Sequence, residues 1–148
     1  MYDLMIIGSG PAGISAALTA KARNLNFIWF GSRALSTKIE KAEKIMNYPG
    51  LPAVTGSEMQ SVFLKQIDDC GITITESQVN SIYDCGGYFA AGADNEIYEA
   101  KAVIMTVGMT TTREIEGEAR LLGCGVSYCA TCDGALYKNK DIAVICAS

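Results

Sequence analysis

Two groups of residues in this sequence could do chemistry, and they lie far apart along the chain. The first is Cys129-Ala-Thr-Cys132-Asp133, two thiols with two residues between them and a carboxylate beside them. Thiols at this spacing close a disulfide with little backbone movement. A helix N-terminus at the pair lowers a thiol pKa and makes the nucleophilic thiolate available. Asp133 is the nearest group able to move the proton that thiol–disulfide exchange requires. The chain has no His. That excludes Ser-His-Asp and Cys-His catalysis, a His-ligated metal and an imidazole base.

The second group is Gly8-Ser9-Gly10-Pro11-Ala12-Gly13, a G-x-G-x-x-G. It follows an apolar run and opens a helical pattern, the context in which such a loop binds a dinucleotide. Gly8 permits the tight turn, Gly10 lets backbone approach a pyrophosphate, and Gly13 lets helix and strand pack closely. The helix N-terminus offers free N–H groups and a partial positive charge to the phosphates. Pro11 is tolerated in the first turn, where its missing N–H would be unpaired anyway. An acid that binds ribose is expected about 20 residues further on. The residues there are Trp29-Phe-Gly-Ser32-Arg33. Ser32 can hydrogen-bond a ribose; Arg33 either faces a phosphate or is a solvated loop charge.

The sulfurs admit two further readings. With Cys124 and Cys146 the pair would make a four-sulfur zinc site. Cys124-x4-Cys129-x2-Cys132 also matches the plant-type iron–sulfur spacing, again needing Cys146. Nothing marks Cys146 as a ligand, and no resident metal is expected. Cys70, Cys85 and Cys146 read as small core or surface residues.

The elements that must position these groups follow from apolar spacing. Residues 2–7 read as a buried parallel strand. Pro11 to Arg23 reads as a helix with Lys21 and Arg23 in its last turn, closed by Asn24. Asn26 to Phe30 reads as a second strand, which completes a βαβ unit. Lys38, Glu40, Lys41, Glu43 and Lys44 suit a solvated helix, and Asn47 to Gly50 a turn. Thr55-Gly-Ser-Glu58 fits a capping box, opening a helix to about Asp69 that Gly71 ends. Ile72, Ile74, Val79, Ile82, Tyr88, Phe89, Ile97 and Tyr98 mark short strands of an antiparallel meander. Its turns are Asp84–Gly87 and Ala93–Asn95. Ala102 to Val107 reads as a further buried strand, Cys129 to Tyr137 as a short helix, and Asp141 to Ile145 as a last strand.

Composition narrows the class. The chain has 148 residues, 49% apolar and 19% charged, enough to bury a core. Twelve Lys and Arg against sixteen Asp and Glu give a net charge of −4, which argues against nucleic-acid or anionic-membrane partners. No stretch approaches the roughly 20 apolar residues of a membrane span, and the start lacks the basic region of a signal peptide. A cytoplasmic protein is expected, in which the six Cys serve redox or metal chemistry rather than a disulfide framework.

A Gly-rich dinucleotide loop together with a C-x-x-C suggests a flavin–dithiol system. The motifs Gly8–Gly13, Asn47–Gly50, Thr55–Glu58, Val107-Gly108, Gly117-Glu118, Gly125–Tyr128 and Cys129–Gly134 occur in an order that resembles the low-molecular-weight thioredoxin reductases, across residues 2–146. The resemblance implies an α/β, Rossmann-like FAD-binding three-layer fold over residues 1–112. Residues 113–148 would begin a second dinucleotide-binding-like domain carrying the Cys pair. It implies FAD held by Gly8, Ser9, Gly10, Pro11, Ala12 and Gly13, with Asn47, Val79, Val107 and Gly108 near it; Ser32 joins them only by its place after the second strand. It implies Cys129 and Cys132 as the redox pair, Cys132 the flavin neighbour, and Asp133 the acid–base residue. A homodimer and a thioredoxin-like substrate are implied too. Two departures stand out. Ile142-Ala-Val-Ile145 is followed by Cys146-Ala-Ser148, not by the Gly-x-Gly of an NADPH site, and Gly31-Ser32 replaces the ribose acid. Both resemble a branch that draws electrons from ferredoxin or another donor, so NADPH is not expected to reduce this chain. The sequence reads as a truncated form of the family's fold.

Overall fold

The computed structural model describes residues 1–108, 116–121, 124–127 and 134–145. The elements in chain order are β1 (Tyr2–Ile7), α1 (Pro11–Ala22), β2 (Phe27–Phe30), α2 (Thr37–Glu40) and α3 (Gly56–Asp69). There follow β3 (Val79–Asp84), β4 (Phe89–Ala93), β5 (Glu96–Met105), α4 (Glu118–Leu121) and a single 3-10 turn, Gly134–Tyr137.

The strands form one sheet in the order β2-β1-β5-β4-β3. β1 runs parallel to both β2 and β5, while β3, β4 and β5 form an antiparallel meander. The long β5 belongs to both parts. Its first half pairs with β4 and its second half with β1, and Ala100 is opposite Phe89 on one side and Tyr2 on the other.

Alternation along β1 and β2 divides the core into two. Leu4, Ile6 and Trp29 face α1 and α3, where Ile14, Ala17, Met59, Phe63 and Ile67 are buried against them. Met5, Ile7, Ile28 and Phe30 face the meander and pack with Ala91, Ala93 and Ala100. The result is three layers, helices, parallel sheet and meander, with each fully buried large side chain contributing about 1.5–3 kcal/mol. Small residues on the meander let it lie close, and the Tyr98 ring meets Phe30 edge-on at 5.0 Å.

α1 buries Gly13, Ile14, Ala17 and Ala20, one helical stripe, and Asn24 ends it at φ 53°. α3 begins at the expected capping box: Thr55 Oγ1 accepts the Glu58 N–H, and Glu58 Oε2 accepts the Thr55 N–H. Gly71, at φ 60°, follows its end.

Four expectations are corrected. The charged stretch after Gly31 forms only the single turn α2, because it buries no residue to extend it. Ile72 and Ile74 are buried, yet pairing there is limited to the bridge between Thr75 and Phe30. Ile97–Tyr98 and Ala102–Val107 belong to one strand, β5, which ends at Met105; Ile104 and Met105 are 40% and 63% exposed rather than buried. β4 begins at Phe89, opposite Ala100, so β5 beyond Ala100 pairs on one side, with β1. Residues 141–145 are not a strand. Among the described residues no strand pairs with them, and an unpaired segment has no ladder to form.

Candidate functional site

The carboxyl ends of β1, β2 and β5 converge on the glycine loop. Gly8 leaves β1 at φ 113°, and a Cβ there would lie 2.3 Å from the Thr106 carbonyl oxygen. A Cβ on Gly13 would lie 1.9 Å from the Gly8 carbonyl oxygen. Both positions are glycine because backbone and neighbouring strand occupy the space. Gly10 differs: nothing lies within 4 Å of the Cβ it lacks. It sits at the N-cap of α1 with no side-chain cap on the first-turn N–H groups and no acid in that turn. An uncapped helix N-terminus beside an open glycine is a cradle for phosphate oxygens, as the sequence pattern requires. The residues fit a dinucleotide pyrophosphate.

The loop is held by side chains on neighbouring strands. Trp29 Nε1 donates to the Gly8 carbonyl at 2.8 Å. Thr106 Oγ1, just past β5, lies 2.9 Å from the Ile7 carbonyl and 3.0 Å from that of Gly8. Sequence reasoning assigned neither residue to the site. A usable signal existed for Trp29, since a buried indole N–H needs an acceptor; none existed for Thr106, which is 98 residues from Gly8 in the chain.

The turn after β2 is tied to the same loop. Ser9 Oγ accepts the Ser32 N–H at 3.0 Å and donates to the Leu35 carbonyl at 3.0 Å. The Leu35 N–H closes a turn onto the Ser32 carbonyl, and Leu35 is held at φ 54°. A buried leucine in that region is costly, of order 1–3 kcal/mol, and Ser9 fixes it there. Ser32 Oγ accepts the Ala34 N–H. The Arg33 guanidinium is a half-exposed loop charge whose Nη2 makes two bonds to Asp68 at the end of α3, at 3.1 and 3.0 Å.

The remaining expected residues are dispersed. Val107 is 60% exposed, and Gly108 has φ 68°; both continue from Thr106 at the loop. Val79 opens β3 and packs on the core that holds Phe30. Asn47 is exposed, two residues past Ile45, which bridges Val54. Cys129, Cys132 and Asp133 lie outside the described residues, as does Cys146. Cys124 is an exposed free thiol, and so are Cys70 and Cys85. Among the described residues no cluster of His, Cys, Asp and Glu could hold a metal ion, and no helix is long and apolar enough to cross a membrane.

The titration of several groups is displaced away from the glycine loop; one is Tyr98, whose phenol is pushed up by its hydrogen bond to the Glu96 carboxylate. The Lys101 ammonium, at 2.7 Å, and the Asn26 N–H hold the Asp3 carboxyl below the usual carboxylate range. The Cys85 thiol pushes the Tyr88 phenol up.

Comparison with known proteins agrees with this geometry. The family profile described as pyridine nucleotide-disulphide oxidoreductase matches residues 2–148. A thioredoxin reductase of Bacillus subtilis (strain 168) is 32% identical over 146 residues, which cover 98% of this chain and 46% of that protein. A ferredoxin-flavin thioredoxin reductase from Clostridium acetobutylicum is 48% identical, with a TM-score of 0.73 over 92% of this chain and 47% of that one. The thioredoxin reductase of Streptococcus pyogenes MGAS5005 is 35% identical, with a TM-score of 0.81 over 93% and 45%. The chain spans about half the length of the relatives it matches.

Proposed function

The chain belongs to the pyridine nucleotide-disulphide oxidoreductase family, and from that premise we propose that it carries the flavin-binding half of a thioredoxin-reductase-like enzyme. The observation that supports this most is the open face of Gly10 at an uncapped helix N-terminus, between two glycines that are fully packed. On this reading Gly8 to Gly13 hold the pyrophosphate of FAD, and Ser32, Asn47, Val79, Val107 and Gly108 lie along the rest of it. Residues 1–112 form the FAD-binding unit, and 113–148 open a second unit.

FAD, when bound, supplies a two-electron carrier between the electron donor and the sulfurs. The chain's own thiols do the exchange. One thiolate of the reduced Cys129/Cys132 pair attacks the disulfide of a thioredoxin-like partner and forms a mixed disulfide. The second thiol displaces the partner's sulfur. Cys129–Cys132 is then the disulfide and the partner is a dithiol. Asp133 takes the proton of that second thiol as it attacks and passes it to the partner's departing thiolate, and solvent protonates the other partner sulfur. The 48% identity to a ferredoxin-flavin thioredoxin reductase supports ferredoxin as donor in place of NADPH. Cys146-Ala-Ser148, which offers no glycine turn, agrees with it. The enzyme works as a cytoplasmic homodimer.

The test is spectroscopic and then kinetic. The purified chain should show flavin absorption, reduce a thioredoxin disulfide with reduced ferredoxin, and resist bleaching by NADPH. Cys132→Ser should abolish disulfide reduction and leave FAD bound. A colourless protein with stoichiometric zinc would sink the proposal. FAD uptake without thioredoxin reduction would reduce it to a binding module.

A further inference from the structure

A βαβ dinucleotide site reads the ribose with a carboxylate at the carboxyl end of its second strand. In this chain β2 cannot supply one. A Cβ at Gly31 would lie 2.5 Å from Ser9 Cβ and 2.8 Å from Ser9 Oγ, so that position is closed to any side chain. The next residue is Ser32, whose hydroxyl already accepts the Ala34 N–H. A carboxylate nevertheless reaches this turn, from a different segment. Thr75 bridges Phe30 in parallel, with its N–H on the Trp29 carbonyl at 2.7 Å and its carbonyl on the Gly31 N–H at 3.1 Å. Glu76 follows it, and its Oε1 accepts the Arg33 N–H at 2.8 Å.

We propose that Glu76 is the ribose-reading carboxylate of this site, and that it selects nucleotides with free 2′- and 3′-hydroxyls. The inference rests on the FAD reading above. An ionised carboxylate has about four acceptor positions, of which the Arg33 N–H occupies one, and ribose hydroxyls are donors. Arg33, the cation that would welcome a 2′-phosphate, has its guanidinium on Asp68 through two bonds. A 2′-phosphate would meet the Glu76 charge instead. The turn that presents this edge is preset by Ser9, which binds Ser32 and Leu35 at once.

The test separates contact with ribose from a role in shaping the turn. The chain and its Glu76→Ala and Glu76→Gln variants are titrated calorimetrically with FAD, ADP, 2′,3′-dideoxy-ADP and 2′-phospho-ADP. Glu76→Ala should weaken ADP and FAD about tenfold, the scale of a hydrogen bond to a charged group. Dideoxy-ADP should change less than about twofold, because no hydroxyl is left to lose. 2′-Phospho-ADP should bind the parent chain more weakly than ADP and gain in both variants. Equal losses for ADP and dideoxy-ADP would make Glu76 a structural residue and overturn the inference. So would a Glu76→Ala chain that binds FAD and ADP as the parent does, although the FAD reading would then stand. A parent chain that binds neither FAD nor ADP overturns both.

Discussion

At the carboxyl ends of β1 and β2, Ile7 and Phe30 are buried, and both turns that leave them are tied by side chains from elsewhere in the chain. Along residues 141–145 a stretch of similar apolar character leaves Ile142, Val144 and Ile145 70%, 79% and 72% exposed. An apolar run becomes a strand only where a neighbouring strand takes its N–H and C=O groups and a second layer covers its face. β1 has β2 and β5 at its edges, helices on one face and the meander on the other. Among the described residues, 141–145 have neither.

The largest expected effect comes from the tied region and uses one substitution at two glycines. Gly13→Ala should be stabilising by propensity alone, since alanine in a helix gains up to about 1 kcal/mol over glycine. Its Cβ would stand 1.9 Å from the Gly8 carbonyl oxygen, and relieving that overlap must cost more, about 3 kcal/mol. Chemical denaturation should show the loss, with FAD binding lost alongside it. Gly10→Ala has φ −72° and open space around the new methyl. It should cost under about 1 kcal/mol of stability as an N-cap change and yet weaken FAD binding tenfold or more, about the effect of keeping backbone from pyrophosphate. Ordinary melting of Gly13→Ala, or ordinary FAD binding by Gly10→Ala, would break the comparison.

Much of this was legible in the residues because the signals are local. The βαβ unit follows from two apolar runs around a helical stripe, and Thr55 and Glu58 announce the start of α3 three residues apart. The glycine loop was legible for the same reason. What was not legible depends on tertiary partners. Ala102–Met105 is as apolar as β1, and nothing in its spacing says that pairing with β4 ends where Phe89 meets Ala100. Glu76 carries no motif; it reaches the turn after β2 only because Thr75 bridges Phe30. Arg33 read as a loop charge before a phosphate ligand, but its partner Asp68 is 35 residues away and no local pattern names it.

A smaller effect concerns α3, which covers β1 and β2 on the helical face. The Thr55 N–H, and then its hydroxyl, hold the Glu58 carboxyl below its ordinary value of 4.5. A depressed native pKa contributes stability that is fully present above the unfolded value and disappears as pH falls through the native one. The melting temperature should therefore begin to fall near pH 4.5 and continue falling below it. Glu58→Gln keeps a capping acceptor and removes the titration, so its melting curve should be flatter across that acid range. An unchanged acid limb in the variant would show that other carboxylates dominate it.

The smallest expected effect is the most direct test of the contrast. Val144→Thr replaces a methyl with a hydroxyl at constant shape. In a buried strand that exchange costs about 1–3 kcal/mol, because the hydroxyl loses water and gains no partner. Val144 is 79% exposed, so the hydroxyl stays hydrated and the cost should remain within about 0.5 kcal/mol. Val103→Thr, in β5 where the side chain packs against the meander-side core, should fall between the two. If Val144→Thr costs more than Val103→Thr in urea denaturation, then residues 141–145 are covered after all, and the sequence pattern rather than the exposed segment describes the folded chain.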